Sequence, residues 1–453
     1  MTVTEGSIRH DLDFQDLCNS CIEIVFPLSV SRERALRLSQ LRRPPICFVD
    51  NVPEDILWQV FARLTEMLNV LRVVCSSWRR VVDENRESVH LLVDRLSPCS
   101  SCRHAFTPIL SRLRRLAVLQ VSGQLNQDQL ADVTSFVSGN GLLERLEIVG
   151  SKAALQHHPL DRSESVYGRM IASALEASCP SLTFLGLAHL QLGDDGLCAI
   201  LSSLEHSRCW KEGRLKELNL DGNNASYKTL EHIAFLVCHK HQSLERVSLE
   251  NNPIGTARVG MEVEYSPAPA LQTLFCLKSL KLAQCSLVML GRGPVLPSPL
   301  PRANVEVLDL SGNYFGSIGC DFIASSLTST LGNVCHLDLS ENGIGEDGCR
   351  SLAEVLVSNR ALSRLNLQGN FVLDEGAASI AEALRSNTTL QYLNLASNGI
   401  CDYGVRALVG VLLMPQLHLR ELDMGMNSFS SFGGDFLDIC ASIRTDYGFV
   451  THW

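Results

Sequence analysis

Leucines recur along this chain with a fixed rhythm. Segments beginning at Leu215, Leu244, Val305, Val334, Leu362, Leu390 and Leu419 share the pattern L-x-x-L-x-L-x-x-N, with an occasional aliphatic substitute at the first position. Weaker copies begin at Leu116, Leu143, Leu182 and Leu277, and most of the eleven starts lie 28 or 29 residues apart. Apolar residues at the fourth and sixth positions put two side chains on one face of a short strand. The asparagine at the ninth position suits a place where the chain leaves the strand, because its amide both donates and accepts hydrogen bonds. Second halves such as "GEDGCRSLAEVLVSN" and "DEGAASIAEALRSN" carry apolar residues at i, i+3, i+4 and i+7, the signature of an amphipathic helix. Each copy therefore reads as strand, asparagine turn and helix. No single copy buries its own apolar face, so the copies must stack.

Two places break the rhythm. The insertion "SKAALQHHPLDRSESVYGRM" (151–170) lengthens one step to 39 residues. Later, "PIGTARVGMEVEYSPAPA" (253–270) and "SLVMLGRGPVLPSPLPRAN" (286–304) stand where helices belong. Proline at 294, 297, 299 and 301 opposes a regular helix, so extended chain is expected over these two successive turns.

The pattern is similar to the leucine-rich repeat, and "N-x-I-G-x-x-G…L-A-x-x-L" resembles its ribonuclease-inhibitor subtype. The resemblance covers residues 116–437. It implies an α/β fold, a right-handed horseshoe solenoid with parallel strands lining the concave face. Eleven strands about 4.8 Å apart make an inner arc of roughly 50 Å, a span suited to a protein partner.

One segment occurs only once. "VPEDILWQVFARL" carries a helical stripe at Ile56, Leu57, Val60, Phe61 and Leu64, and Pro53 with two acids after it makes a good helix start. A second apolar group follows and ends at "VVCSSWRR". Val52-Pro53-Glu54-Asp55-Ile56-Leu57, then Val60-Phe61-Ala62-Arg63-Leu64, then Val74-Cys75-Ser76-Ser77-Trp78-Arg79 together resemble the F-box. That resemblance implies a small all-α module over 46–92 preceding the solenoid. It further implies that Pro53, Ile56, Leu57, Val60, Phe61, Leu64, Val74 and Trp78 contact a Skp-type adaptor linked to a cullin scaffold. A helical cap on the repeats is the plainer reading of the same stripe.

Charge narrows the partners. Residues 1–115 hold 16 Arg, no Lys and 14 acids, while the remainder carries 23 basic against 35 acidic residues. An acidic array repels phosphate backbones, so nucleic acid is not an expected partner. No apolar run reaches the roughly 18 residues of a membrane span, and the N-terminus shows no secretory signal. With seventeen cysteines and no signal, the chain reads as cytoplasmic or nuclear, its thiols free. Cys320 and Cys349 follow a repeat glycine, where Ala377 and Val405 stand in other copies, and read as small core residues. Cys18, Cys21, Cys99 and Cys102 form two Cys-x-x-Cys pairs too far apart for a compact zinc module, and "CHKH" at 238–241 reads as a polar helix end. Phosphate-binding and hydrolase motifs are absent, so neither catalysis nor a cofactor is expected.

Residues between the strand leucines are the candidate contacts of the concave face. They include Asn219, Asp309, His336, Asp338, Arg364, Asn366, Tyr392, Asn394 and Asp423. Asp309, Asp338 and Asp423 occupy one repeat position on the seventh, eighth and eleventh strands, which favours a protein partner with a basic segment. Solvated acids common to the subtype are the plainer reading. The expected organisation is an extension (1–45), the F-box-like module (46–92), a connector (93–115), the solenoid (116–437) and a cap or tail (438–453). The expected function is the non-catalytic substrate-recognition adaptor of an SCF-type, cullin-RING ubiquitin ligase. The alternative is a repeat scaffold or assembly protein, for instance in a ciliary or cytoskeletal complex.

Overall fold

The computed structural model describes residues 22–25, 88–93, 110, 116–123, 125, 127–150, 164–177, 180–239, 243–255, 268–287, 304–328, 331–443 and 450–452. The chain divides into two compact units, one of residues 1–190 with 199–215 and one of 191–198 with 216–453.

In the first unit, β1 (Ile22–Val25) runs antiparallel to β2 (Ser88–Val93). From β2 onward the pairing is parallel, through β3 (Val118–Gly123), β4 (Arg145–Val149) and β5 (Phe184–Ala188). Helices α1 (Gln127–Gly139) and α2 (Glu164–Ala177) follow β3 and β4. The end of the 151–170 insertion thus opens α2. The helix α3 (Gly193–His206) contributes residues to both units, and α4 (Arg208–Lys211) closes the first.

The second unit repeats strand and helix with little variation. Its strands are β6 (Glu217–Asn219), β7 (Arg246–Ser248), β8 (Ser279–Lys281), β9 (Val307–Asp309), β10 (His336–Asp338), β11 (Arg364–Asn366), β12 (Tyr392–Asn394), β13 (Glu421–Asp423) and β14 (Val450–His452). Each pairs in parallel with the next, residue for residue. Its helices are α5 (Tyr227–His239), α6 (Ala268–Leu274), α7 (Gly316–Leu327), α8 (Glu346–Ser358), α9 (Leu373–Leu384), α10 (Asp402–Leu412) and α11 (Ser431–Ile443). The strands β3 to β13 fall at the eleven places the leucine pattern marks, and β14 adds one more.

The pattern explains the core. Leu337 and Leu339, Leu365 and Leu367, and Leu393 and Leu395 are buried at the fourth and sixth positions, with Val334, Leu362 and Leu390 buried at the first. The inward helix face answers with residues such as Leu352, Ala353 and Leu356. Each large apolar side chain so buried contributes about 1.5–3 kcal/mol. Cys320, Cys349, Ala377 and Val405 are all fully buried, so the two thiols serve as small core groups.

Extended chain is not what residues 268–274 form. They make the short helix α6, and Pro269 is accommodated because it stands in the first turn, where its missing N–H has no helical acceptor to lose. The rest of both proline-rich stretches, 256–267 and 288–303, lies outside the described residues. So does the helical stripe of 52–79; of the span 46–92 only the strand residues 88–92 are described.

Candidate functional site

The middle residue of each short strand is buried, and its two neighbours face away from the core. The parallel register aligns these neighbours into two rows. One row runs Glu217, Arg246, Ser279, Val307, His336, Arg364, Tyr392, Glu421; the other Asn219, Ser248, Lys281, Asp309, Asp338, Asn366, Asn394, Asp423. Eight of the nine candidates therefore lie on five consecutive strands, β9 to β13, with Asn219 three strands away on β6. The candidates Pro53, Ile56, Leu57, Val60, Phe61, Leu64, Val74 and Trp78 lie outside the described residues.

The second row does local work before it meets any partner. Asp309 Oδ1 accepts from Ser311 N (3.0 Å) and Ser311 Oγ (2.8 Å), and Asp338 Oδ1 accepts from Ser340 N (2.9 Å) and Oγ (2.6 Å). Asn219, Asn366, Asn394 and Asp423 accept the backbone N–H two residues on in the same way. Asp and Asn recur here because a short side-chain oxygen closes the turn out of the strand. Asn366 Nδ2 also donates to Asp338 Oδ2 at 2.7 Å, tying β11 to β10. Asn394 is only 5% exposed, so it supports the row from below and offers a partner little surface.

The first row is more open. Arg364 stacks over the Tyr392 ring, 4.0 Å from its centroid, a cation–π contact that fixes a flat, amphipathic platform. Burial holds the His336 imidazole below its ordinary value, and the Arg364 guanidinium beside it adds to the effect. Burial raises the Asp309 carboxyl, with the Asp338 and Glu250 charges pushing the same way. Burial likewise raises the Tyr392 phenol, helped by Glu421 and Asp423. A cation laid across β9 and β10 would relieve this crowding of acids.

The earlier strands satisfy their charges internally. Arg246 pairs with Glu217 (3.0 Å), Lys278 and Lys216 with Glu245 (3.0 and 3.4 Å), and Lys281 with Glu250 (3.4 Å). Such exposed pairs contribute about 0–1 kcal/mol each, but they leave β6 to β8 electrically balanced.

Behind both rows stands an asparagine ladder. Asn370 Oδ1 accepts from Asn342 N (3.0 Å) and Ile344 N (2.9 Å) of the preceding turn, while its Nδ2 donates to Leu339 O (3.0 Å) and Leu367 O (2.8 Å). Asn252, Asn342 and Asn427 bridge neighbouring turns in the same manner. Residues 333–353 and 386–409 match the family model for the leucine rich repeat. The chain carries leucine-rich repeats.

No curated protein matches the chain in sequence. Among solved structures it is similar to an internalin from Listeria monocytogenes, 14% identical over 88% of this chain and 94% of that one, with a TM-score of 0.37. It is also similar to actin-binding site 2 of leiomodin-1, 20% identical over 24% of this chain and 81% of that one, with a TM-score of 0.21. Among the described residues no helix is long and apolar enough to cross a membrane.

Two features of these leucine-rich repeats escaped the sequence reading. Asp194 collects Ser226 N and the Ser226 and Thr229 hydroxyls, stapling the start of α3 to the next turn. Burial alone would raise its pKa, but these hydrogen bonds outweigh burial and lower it. Asp374 and Asp402 repeat the device toward Cys401 N and Gly404 N, and toward Ser430. The signal was an Asp early in each helix, read there only as part of the amphipathic pattern. The second feature is a set of large apolar side chains exposed just beyond the ladder, at positions such as Tyr314 and Phe371; "GNYF" and "GNFV" were its trace.

Proposed function

We propose that this chain is a non-catalytic recognition subunit: the strand face of β9 to β13 holds a protein with a basic segment, and residues 52–79 deliver it to a ubiquitin ligase. The observation that carries the first half is the pair of aligned rows. Polar and aromatic groups, His336 and Arg364 exposed and most of the others half-buried, stand on consecutive strands about 4.8 Å apart, a surface too broad and open for a metabolite and acidic where β9 meets β10. The F-box resemblance of residues 52–79 supports the second half, in which the stripe from Pro53 to Trp78 docks a Skp-type adaptor joined to a cullin scaffold. Specificity then resides in the face, and the transfer chemistry resides in other subunits.

The parallel pairing of β2 with β3 favours a second reading. The chain that follows the 52–79 motif runs directly into the repeats, as it would if the motif only capped them in a scaffold or assembly protein.

Affinity purification of the full chain separates the two. Recovery of a Skp-type adaptor, lost in Leu57→Ala and Phe61→Ala variants whose melting is unchanged, is expected for the ligase subunit. Variants that lower the melting temperature without any adaptor ever being recovered would establish the cap. For the strand face, Asp338→Lys is expected to weaken partner binding most at low salt, because screening shortens the reach of the charge. An unchanged affinity at low salt overturns the acidic-face reading.

A further inference from the structure

Each asparagine of the ladder is followed by a short edge that leads into the next helix. Counting from that asparagine, the first, third and fifth residues of successive turns align. In the turn after β9 they are Tyr314, Gly316 and Ile318; after β10, Gly343, Gly345 and Asp347; after β11, Phe371, Leu373 and Glu375. After β12 the fifth is Tyr403, and after β13 it is Phe432. Backbone hydrogen bonds hold the edges together turn by turn: Gly316 N to Asn342 O (2.8 Å), Phe371 N to Ile344 O (2.8 Å), Leu373 N to Asn398 O (3.2 Å) and Ser428 N to Ile400 O (2.8 Å).

Six large apolar side chains stand on this edge: Tyr314, Ile318, Phe371, Leu373, Tyr403 and Phe432. Tyr314 is 71% exposed and Phe371 64%, and even Leu373, the least exposed, is at 41%. Scattered exposed hydrophobics are ordinary, but their recurrence on four of five successive turns marks a contact surface. The row has relief. A Cβ added to Gly316 or Gly343 would meet nothing within 4 Å, so open space separates Tyr314 and Ile318 from Phe371. On the other side Leu373 leans over Gly399, where an added Cβ would lie 3.0 Å from Leu373 Cδ2.

The charge around the row selects the occupant. Residues 304–443 hold 16 acids against 6 arginines and no lysine. Asp374, Glu375 and Asp402 fall on turns that carry the apolar side chains, and Glu341, Glu346 and Asp347 on the β10 turn between Tyr314 and Phe371. Such a collar repels anionic lipid and nucleic acid and a second copy of the same face, and it attracts cations. Geometry agrees. Turns spaced from about 4.8 Å at the strands to about 10 Å at the helices match anchors one to two turns apart on an α-helix of 5.4 Å pitch.

We propose that the edge from Tyr314 to Phe432 is a second docking surface, separate from the strand face, that receives a basic amphipathic helix of a partner protein. Apolar anchors at i, i+3 or i+4 and i+7 seat between and beside the aromatic side chains. Lysines and arginines on the flanks meet the acidic collar. The proposal is independent of what the strand face binds and of what residues 52–79 dock.

The test uses the full-length chain and three synthetic 18-residue peptides followed by fluorescence anisotropy. One is an amphipathic helix with a leucine face and a lysine face; the second is its scramble of equal charge; the third carries glutamate in place of lysine. The first is expected to bind at least about tenfold more tightly than either control, a difference of about 1.4 kcal/mol. Tyr314→Asn with Phe371→Ser is expected to remove that advantage, since asparagine tolerates the positive φ at position 314. Ile318→Ser with Tyr403→Ser serves as the replacement should the first pair melt at a lower temperature. A strand-face variant, Asp338→Lys, is expected to keep the preference for the amphipathic peptide over its scramble. Equal binding of peptide and scramble, or a preference untouched by both edge variants, overturns the proposal. So does edge-dependent self-association in sedimentation, or edge-dependent binding to phosphatidylserine vesicles, because either names a different occupant.

Discussion

The turns that follow β7 and β8 differ from those that follow β9 to β13 in one structural respect. From β9 onward the asparagine at the ninth position joins its turn to the one before. Asn313, Asn342, Asn370 and Asn427 each accept two amides of that turn and Asn398 accepts one. All donate to carbonyls of both turns, as Asn252 of the β7 turn does toward the β6 turn. In the β8 turn that position is Cys285. Its thiol donates to Leu249 O at 3.0 Å, replacing one asparagine bond, but sulfur is a poor acceptor for the amides of the β7 turn. Ile254 N, the amide that would be served, bonds back to Asn252 O at 2.8 Å. The residue between them is Pro253, whereas Asn224, Ser286, Tyr314, Gly343 and Gly399 hold the corresponding place at positive φ, which proline cannot adopt. Phe371 departs from that group too, and there Val372 N reaches Asn398 Oδ1 at a longer 3.3 Å. The departure at Cys285 is thus matched by a departure in the turn it fails to serve.

The strongest way to break this contrast is Asn370→Ala. Four bonds of 3.0 Å or less disappear, and buried backbone groups of two turns lose partners. A loss of about 3–5 kcal/mol is expected in urea unfolding; a loss under about 1 kcal/mol would show that the ladder is dispensable. Next, Gly404→Ala tests the helix-start staple of the regular turns. An added Cβ would sit 2.6 Å from Ile400 Cγ2 and 2.7 Å from Asp374 Oδ1. Destabilisation of about 2 kcal/mol is expected, read as a lowered melting temperature.

The third change should repair the irregular pair. Cys285→Asn together with Pro253→Gly is expected to stabilise by about 1 kcal/mol more than the two single changes added together. Strict additivity in a double-mutant cycle would show that the two departures are unrelated. The smallest effect is expected at the border between the regions. Asparagine in Asp309→Asn keeps the Oδ1 acceptor for Ser311 while removing a charge crowded by Asp338 and Glu250. Because burial and those charges raise the folded-state pKa, ionisation of Asp309 opposes folding above that value, and the penalty vanishes below the unfolded value of about 3.9. The variant should therefore be more stable by about 0.5 kcal/mol at pH 7 and indistinguishable at pH 3. A gain of equal size at both pH values would exclude the charge as its source.

Much of the repeat architecture was legible because Leu-x-Leu has period two and each leucine pair must be buried. The eleven strands follow from that spacing alone. The role of the ladder asparagine was legible too, since only an amide side chain both donates and accepts at that length. The helix α6 was not, because proline was weighed as a breaker without asking whether it fell in a first helical turn. Candidate contacts such as Asp309 and Tyr392 were found by alternation, which says which side a residue faces. Alternation is silent on whether a carboxylate is already occupied, as Asp338 is by Ser340 and Asn366. The apolar edge was hidden for a related reason: the residues after each asparagine have no periodicity of their own and become a row only when turns are stacked.

Cys320 and Cys349 give the stacked turns a further property. Burial lifts the Cys349 thiol to about 12 and the Cys320 thiol well above its ordinary value, so neither is a nucleophile while its turn is closed. Each regains ordinary reactivity only when the helix above it detaches from the neighbouring turn. A thiol-reactive probe added in excess would then label the two positions at rates set by separate local openings. The array in this way carries native reporters, one turn apart, of whether neighbouring repeats come undone together or singly.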